Sequence, residues 1–304
     1  MGFKSALKSS FIGKYLVSEY HVLLSKLMPK LISDEKAVKK YYKQRSGKEL
    51  DLSNPQTFSQ KQQWYKLNAK DPLMQQAADK YAVRAYIKAC GHEELLNDLL
   101  GVYENPDDID FDALPNRFVM KAAHGSGFNI IVKDKSQLNI AQTKKMLKSW
   151  LRQDISWSGR EWVYKEMPRR IVIEKYLEDD SGGLKDFKFF CFNGKPSIMQ
   201  LEVGRYTNQN TRNFYDMEWN LLPFGKELPH NPDIDIPKPV RFEQMKQIAT
   251  DLCKPFQFVR VDLYEVKEKV YFGELTFFPA GGAPDFVPSE YDKIVGDMWE
   301  LKTE

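Results

Sequence analysis

Asp262 and Glu274 are the residues of this sequence best suited to hold a cation. They lie on two candidate strands, Phe258–Tyr264 and Val270–Thr276, joined by a short loop. Strand alternation puts Val259, Val261 and Leu263 on one face, with Arg260 and Asp262 on the other. In the second strand, Phe272, Glu274 and Thr276 share a face, and a loop of three or five residues would set Asp262 opposite Glu274. Two facing carboxylates repel by some tenths of a kcal/mol. A hard cation between them turns that repulsion into binding, and Mg2+ commonly takes one or two carboxylates plus substrate phosphate oxygens. Arg260 would face the same place, suited to a phosphate or a developing oxyanion. Alone, the pair favours a plainer reading, a hydrated outer face of a hairpin. The loop Phe277-Phe278-Pro279-Ala280-Gly281-Gly282 shifts the balance, because its turn residues allow a ligand to approach the backbone closely.

A second group of residues surrounds Lys121-Ala122-Ala123-His124-Gly125-Ser126-Gly127, between two strand-like segments. It is not a Walker A loop, but a glycine-bearing hairpin loop can fold its N–H groups over phosphates, and Lys121 could neutralise their oxygens. A Gly-Ser-Gly turn by itself is ordinarily just a turn, and His124 reads as a hydrogen-bonding spacer. Lys80 and Lys188 look like surface lysines on composition alone. Ile171–Leu177 reads as a buried strand whose polar end, at Glu174, could act as an adenine hinge through backbone groups and the carboxylate.

Behind these groups stands a change of period. The first third is helical, with Thr57 and Gln60 forming a capping box ahead of Gln62–Leu67 and a second helix over Asp79–Cys90 stopped by Gly91. Asn105–Pro115 is acidic and turn-rich and marks a boundary. Strands follow at Phe118–Lys121, Phe128–Val132 and Arg170–Leu177, with a helix over Ala141–Leu151 and a polar break at Glu178–Leu184. The strands Phe187–Phe192 and Ser197–Val203 flank the short loop Asn193-Gly194-Lys195-Pro196, whose Asn-Gly signals a hairpin, and a helix over Arg241–Leu252 precedes the last hairpin.

With 304 residues, 42% hydrophobic and 29% charged, the chain has the composition of a folded globular protein of about two domains. No apolar run reaches the length of a membrane span, and Met1–Leu24 lacks the features of a secretory signal. Cys90, Cys191 and Cys253 show no metal-binding spacing and fit a reducing cytoplasm. Residues 1–48 hold eleven Lys/Arg against three Asp/Glu, so this segment carries +8 of a total of +3. Such a segment could touch an anionic membrane peripherally, at its inner face; the plainer reading packs it on the core through Phe11, Tyr15, Leu16, Leu23 and Leu24. No nucleic-acid motif accompanies the charge.

In this order, the pieces resemble the ATP-grasp superfamily, in particular its TupA-like branch from teichuronopeptide and capsular-polysaccharide gene clusters. The stretches that carry the resemblance are Asn54-Pro55-Gln56-Thr57-Phe58 with Lys61 and Trp64, Asp79-Lys80-Tyr81 with Arg84, and Leu114-Pro115. They continue through Lys121–Gly127, Ile173-Glu174, Asp186-Phe187-Lys188, Phe192–Lys195, Asp262 and Gly273-Glu274-Leu275-Thr276. The resemblance implies an α+β ATP-grasp fold, a small lid domain (116–177) and a larger antiparallel-sheet catalytic domain (178–304), after a helical N-terminal region (1–115). In that superfamily, ATP lies between the lid and the C-terminal domain. By similarity Lys80 and Lys121 would contact phosphates, with Gly125, Ser126 and Gly127 closing over them. Glu174, Lys175 and Leu177 would hold adenine, and Lys188 would approach the γ-phosphate. Asp262, Glu274 and Thr276 would bind Mg2+, and Arg260 would stabilise the transferring group. Thr276 departs from the Asn that many ATP-grasp ligases carry there, and helices stand where those ligases have a β/α domain, so the acceptor site does not carry over.

The resemblance further implies a carboxylate–amine ligase working through an acylphosphate, with an amino acid joined to a uronic-acid sugar of a surface polysaccharide. The rivals are an ATP-grasp kinase acting on a sugar hydroxyl, a transferase of the glycosyl class, and an inactive binding module. The glycosyltransferase reading would rest on Asp108-Ile109-Asp110 or Asp110-Phe111-Asp112, which read better as an acidic loop.

Overall fold

A computed structural model describes residues 10–27, 31–178, 185–203, 210–234 and 236–302. Helices α1 (Phe11–Leu27), α2 (Asp34–Ser46), α3 (Phe58–Asn68), α4 (Pro72–Ala78) and α5 (Val83–Ala89) come first. Then follow β1 (Leu99–Tyr103), β2 (Phe118–Ala122), β3 (Asn129–Val132), α6 (Ile140–Arg152), the short α7 (Ser156–Gly159) and β4 (Ile171–Lys175). The rest comprises β5 (Lys185–Phe192), β6 (Lys195–Val203), β7 (Thr211–Asp216), β8 (Leu221–Leu222), β9 (Gly225–Lys226) and α8 (Phe242–Cys253). It closes with β10 (Phe258–Val266), β11 (Lys269–Thr276), β12 (Phe286–Val287) and α9 (Tyr291–Asp297). The chain forms two compact units. The first takes Met1–Asp34, Gln75–Val83 and Asn97–Tyr176; the second takes Glu35–Met74, Arg84–Leu96 and Leu177–Glu304.

The first unit is built on a four-stranded antiparallel sheet in the order β1-β4-β2-β3. Phe118, Met120, Ile171 and Ile173 bury one face of it with Met146, Leu147 and Trp150 of α6. β1 is an edge strand inside a region whose sequence reads as helical and turn-rich. Its segment is too short for the alternation to stand out, and Leu100 is bulged out of its register with β4. Phe11 and Tyr15 of α1 pack against this core, but Leu16 and Leu23 are exposed, contrary to expectation. The reason is the inner face of α1, where Gly13, Ser18 and Ser25 are buried and Ser18 Oγ lies 2.7 Å from Ser149 Oγ of α6. Small residues allow close approach there and turn the large ones outward.

The expected helix over Asp79–Cys90 begins four residues late, at Val83. Asp79 Oδ1 accepts from the N–H groups of Tyr81 (2.7 Å) and Ala82 (3.0 Å), a local bond that starts a new helix, α5, rather than continuing α4. The expected break at Glu178–Leu184 lies, beyond Glu178, outside the described residues.

The second unit carries a six-stranded antiparallel sheet in the order β11-β10-β5-β6-β7-β8. α8 covers one face through Phe242, Met245, Ile248, Ala249 and Leu252, opposite Phe189, Val259, Val261 and Leu263. On the other face Phe190, Phe192 and Phe258 form an aromatic half, sealed by Phe58 of α3 and by Trp299, whose rings lie 5.3 and 5.1 Å from that of Phe258. α3 begins with the expected capping box of Thr57 and Gln60. The remaining half of this face is polar.

Candidate active site

The polar half follows from register. Asp262 pairs with Lys188 on one side and Glu274 on the other, while Arg260 pairs with Thr276. Because Val259, Val261 and Leu263 are held under α8, alternation forces Arg260 and Asp262 to the opposite face. The β10–β11 turn has two residues, Lys267 and Glu268, both with positive φ, and a turn of that length alone would set Asp262 against Gly273. A bulge between Asp262 and Leu263 absorbs Gly273 and brings Glu274 opposite Asp262. The loop length read from sequence was therefore wrong, although the facing pair is present. The bulge also moves Phe272 away from the face of Glu274, because Phe272 pairs with the core residue Leu263. A Cβ on Gly273 would lie 2.9 Å from the Asp262 carbonyl oxygen, so the bulge requires glycine.

Asp262 is fully buried and completely engaged. Lys188 Nζ lies 2.6 Å from its Oδ2, Arg260 Nε 2.6 Å from Oδ1, and Arg260 Nη2 2.6 Å from Oδ2. The same Nη2 reaches Glu274 Oε1 (3.3 Å) and Thr276 Oγ1 (3.2 Å), and the Thr276 hydroxyl donates to Glu274 Oε1 at 3.1 Å. Lys188 also pairs with Asp186 Oδ2 at 2.5 Å. Three carboxylates thus face two cations, and the surplus is negative. Burial pulls the Lys188 ammonium down, but Asp262 and Asp186 outweigh it and leave it above its ordinary value. Burial acts on Arg260 in the same sense, and Asp262 more than offsets it, so the guanidinium is held charged. Glu274 is the outward carboxylate of the group, with its side chain 39% exposed.

Hard oxygen donors on registered strand positions suit Mg2+. Among the described residues no group of three or more His, Cys, Asp or Glu side chains could hold a metal by itself. An ion here would need ligands from a bound phosphate, and it would share Asp262 with Arg260 and Lys188.

Beyond β11, Ala280, Gly281 and Gly282 all have positive φ. Their loop is held from behind. Gln63 donates to the carbonyls of Gly281 (3.1 Å) and Gly282 (2.9 Å), Lys66 to Gly281 (2.7 Å), and buried Lys226 to Ala283 (2.6 Å). Lys61 serves a related purpose, donating to the carbonyls of Gly296 and Trp299 at 2.8 and 2.6 Å. The Asn54–Trp64 stretch is thus an anchor for the last part of the chain.

In the first unit the structure gathers Lys80, Lys121, Glu174 and the glycine loop. Lys121 Nζ pairs with Glu174 Oε2 at 2.6 Å across β2 and β4, partly exposed. Lys80 donates through Nζ to the Gly125 carbonyl and through its main chain to Ala123 (3.3 Å). Ser126 and Gly127 form the exposed tip, Gly127 with φ +77. His124 beneath it is buried, its Nε2 3.0 Å from the Trp150 carbonyl. Burial, with Arg169 nearby, lowers its pKa to about 4, so it is a neutral spacer. Lys175 points elsewhere: its side chain pairs with Asp98 at 3.1 Å on the surface. Its N–H bonds to Asp98 and its carbonyl to Asn97, so its main chain is already taken. Leu177 lies two residues past the end of β4.

Sequence reasoning gave no role to Asp186, although the period of two from Lys188 would have placed it on the same face. It also passed over Arg170, which bridges to Asp79 at 2.7 Å and fixes the turn that bears Lys80.

One unit has a larger antiparallel sheet bearing a Lys–Asp–Arg–Glu cluster and the other a smaller sheet bearing a lysine and a glycine loop, and the chain is an ATP-grasp protein of α+β class. It belongs to the TupA-like ATPgrasp family, whose model matches residues 60–300, and the helical N-terminal region begins ahead of that match. That family uses ATP and Mg2+. The chain is similar in structure to the D-alanine–D-alanine ligase of Helicobacter pylori, at 16% identity and TM-score 0.42, over 75% of this chain and 60% of the other. It is similar to the Bacillus anthracis ligase complexed with ATP, at 16% identity and TM-score 0.44, over 73% and 64% of the two chains. A third similarity is to the ATP-grasp ligase PsnB with a minimal precursor, at 11% identity and TM-score 0.43, over 78% and 64%. This chain spans between 60% and 64% of the length of these three proteins. No curated protein matches it. No helix among the described residues is long and apolar enough to cross a membrane.

Proposed function

We propose that the protein is an ATP- and Mg2+-dependent carboxylate–amine ligase that attaches an amino acid to a uronic-acid sugar of a surface polysaccharide. The observation that supports it best is Arg260, a permanent cation locked by Asp262 and sharing one nitrogen with Glu274 and Thr276. A cation fixed in advance stabilises charge that develops during reaction without having to reorganise. The cluster of Asp186, Lys188, Arg260, Asp262, Glu274 and Thr276 contains no Ser–His or Cys–His pair, which fits chemistry made of positioning and charge neutralisation.

In this reading Lys80, Lys121 and the Gly125-Ser126-Gly127 tip bind phosphate oxygens, and Glu174, Lys175 and Leu177 hold adenine. The main chain of Lys175 is engaged within the first unit, so its part in that recognition falls to its side chain. The lid is 116–177, the catalytic part 178–304, and 1–115 precedes them. Asp262, Glu274 and Thr276 hold Mg2+, which neutralises phosphate charge when bound. Lys188 offers its ammonium to the γ-phosphate, and a substrate carboxylate oxygen attacks that phosphorus, releasing ADP. The amine then attacks the acyl carbon, loses a proton, and displaces phosphate to leave an amide. Arg260 balances the charge of the tetrahedral intermediate.

The test is ATP binding with and without Mg2+, for wild type and Glu274→Ala. Wild type should bind tightly only with Mg2+, and the variant should lose most of that gain. Binding indifferent to both would refute the reading. Hydroxylamine then separates ligase from kinase: a ligase yields a hydroxamate of its acid substrate, and a kinase leaves a stable phosphate ester.

A further inference from the structure

Helix α1 is apolar on the side that faces away from the core. Ile12, Leu16, Tyr20, Leu23 and Leu27 are each more than half exposed, from 53% to 65%. Their spacing of four, four, three and four places them in one stripe about 22 Å long on the helix surface. The inner side buries Ser18, Val22 and Ser25 and packs Phe11 and Tyr15 on the core. The core contact is thus made without the stripe.

Beside the stripe, within the same unit, runs a groove of about 420 Å³ lined by Tyr15, Leu151, Lys145, Lys148 and Arg152 together with Glu104–Pro106. Across α1 and α6 the cations are Lys14, Lys26, Lys144, Lys145, Lys148 and Arg152. Lys148 pairs with Asp107 at 2.5 Å, Arg152 pairs with Glu19, and Glu104 lines the groove. Six cations against these three acids leave the surface at +3. Glu19 borders the stripe between Leu16 and Leu23, and its charge is met by Arg152.

We propose that α1 lies in the interface of an anionic lipid bilayer, its stripe among the upper acyl chains and the lysines of α1 and α6 against the headgroups. The pairing of a long apolar stripe with flanking cations is what such a surface recognises. A second copy of the chain is the poorer occupant, because a symmetric pairing through the stripe would set positive flanks against positive flanks. The inference does not depend on the catalytic reading and concerns where the protein sits.

Co-sedimentation of the full chain with vesicles tests it, using phosphatidylcholine alone or mixed with phosphatidylglycerol, at low salt and at about 0.5 M salt. Wild type should pellet with the anionic vesicles, less so at high salt. The double change Leu16→Glu with Leu23→Glu should lower the bound fraction about tenfold or more. Lys145→Glu with Lys148→Glu should weaken binding and flatten its salt dependence, and this exposed pair carries the test if the leucine variant misfolds. Wild type left in the supernatant with both vesicles would overturn the proposal. So would equal pelleting with neutral lipid, or a dimer in solution that the leucine changes convert to monomer.

Discussion

The two polar clusters use the same kinds of residue in opposite states. In the second unit, Lys188 and Asp262 are buried and the Arg260 side chain is 12% exposed, each tied to more than one partner. In the first unit, Lys121 and Glu174 form an ion pair with side chains 29% and 12% exposed, next to a glycine tip open to solvent. Removing one member of a buried group strands the others without water, whereas a partly exposed pair can be rehydrated. Stability should therefore depend on the Asp262 cluster and barely on the Lys121–Glu174 pair, while nucleotide binding should depend on both.

The sharpest way to break that contrast is Asp262→Ala. It leaves Arg260 and Lys188 with only Glu274 and Asp186 to neutralise them, and should cost about 3–5 kcal/mol in denaturant unfolding, with loss of activity. A loss below about 1 kcal/mol would mean that water reaches the cluster and that the two sites do not differ in kind.

The glycine loop should differ from the sheet in its response to acid. His124 has its pKa lowered to about 4 by burial and by Arg169, against about 6.5 when unfolded. The unfolded chain therefore binds the extra proton first. The contribution of His124 is whole above about pH 6.5 and falls as pH drops towards about 4, by roughly 3 kcal/mol in all. Urea unfolding followed from pH 7 to 4.5 should show this slope, and His124→Gln should reduce it. An unchanged slope in the variant would place the acid sensitivity elsewhere.

What the sequence made legible were patterns with a short period. Alternation around Asp262 and the Asn193-Gly194 turn both read through, since each depends on neighbouring residues. Features set by distant packing did not. The outward turn of Leu16 and Leu23 is decided by Ser149 on another helix, and the break after α4 by a side chain bonding its own backbone. The register of the last hairpin hinges on one bulged residue, which no periodicity reveals. Gly273→Ala tests that point: its Cβ would meet the Asp262 carbonyl oxygen at 2.9 Å, in backbone that cannot yield cheaply. About 1–3 kcal/mol should be lost, and Mg2+-dependent ATP binding should weaken because Asp262 and Glu274 no longer face each other. Unchanged binding would separate the register from the site.

Lys121→Met should produce the smallest change in stability and so complete the contrast. The substitution keeps the length and apolar stem of the side chain, and leaves Glu174 near enough to the surface to take water in place of the ammonium. Unfolding free energy should fall by no more than about 1 kcal/mol, and a double-mutant cycle with Glu174→Gln should return a coupling of similar size. ATP affinity should drop clearly all the same, because Lys121 is proposed to meet phosphate rather than to hold the sheet together. Stability lost on the scale of Asp262→Ala, with affinity untouched, would reverse the assignment: the pair would be structural, and the phosphates would have to be bound by Lys80 and the loop alone.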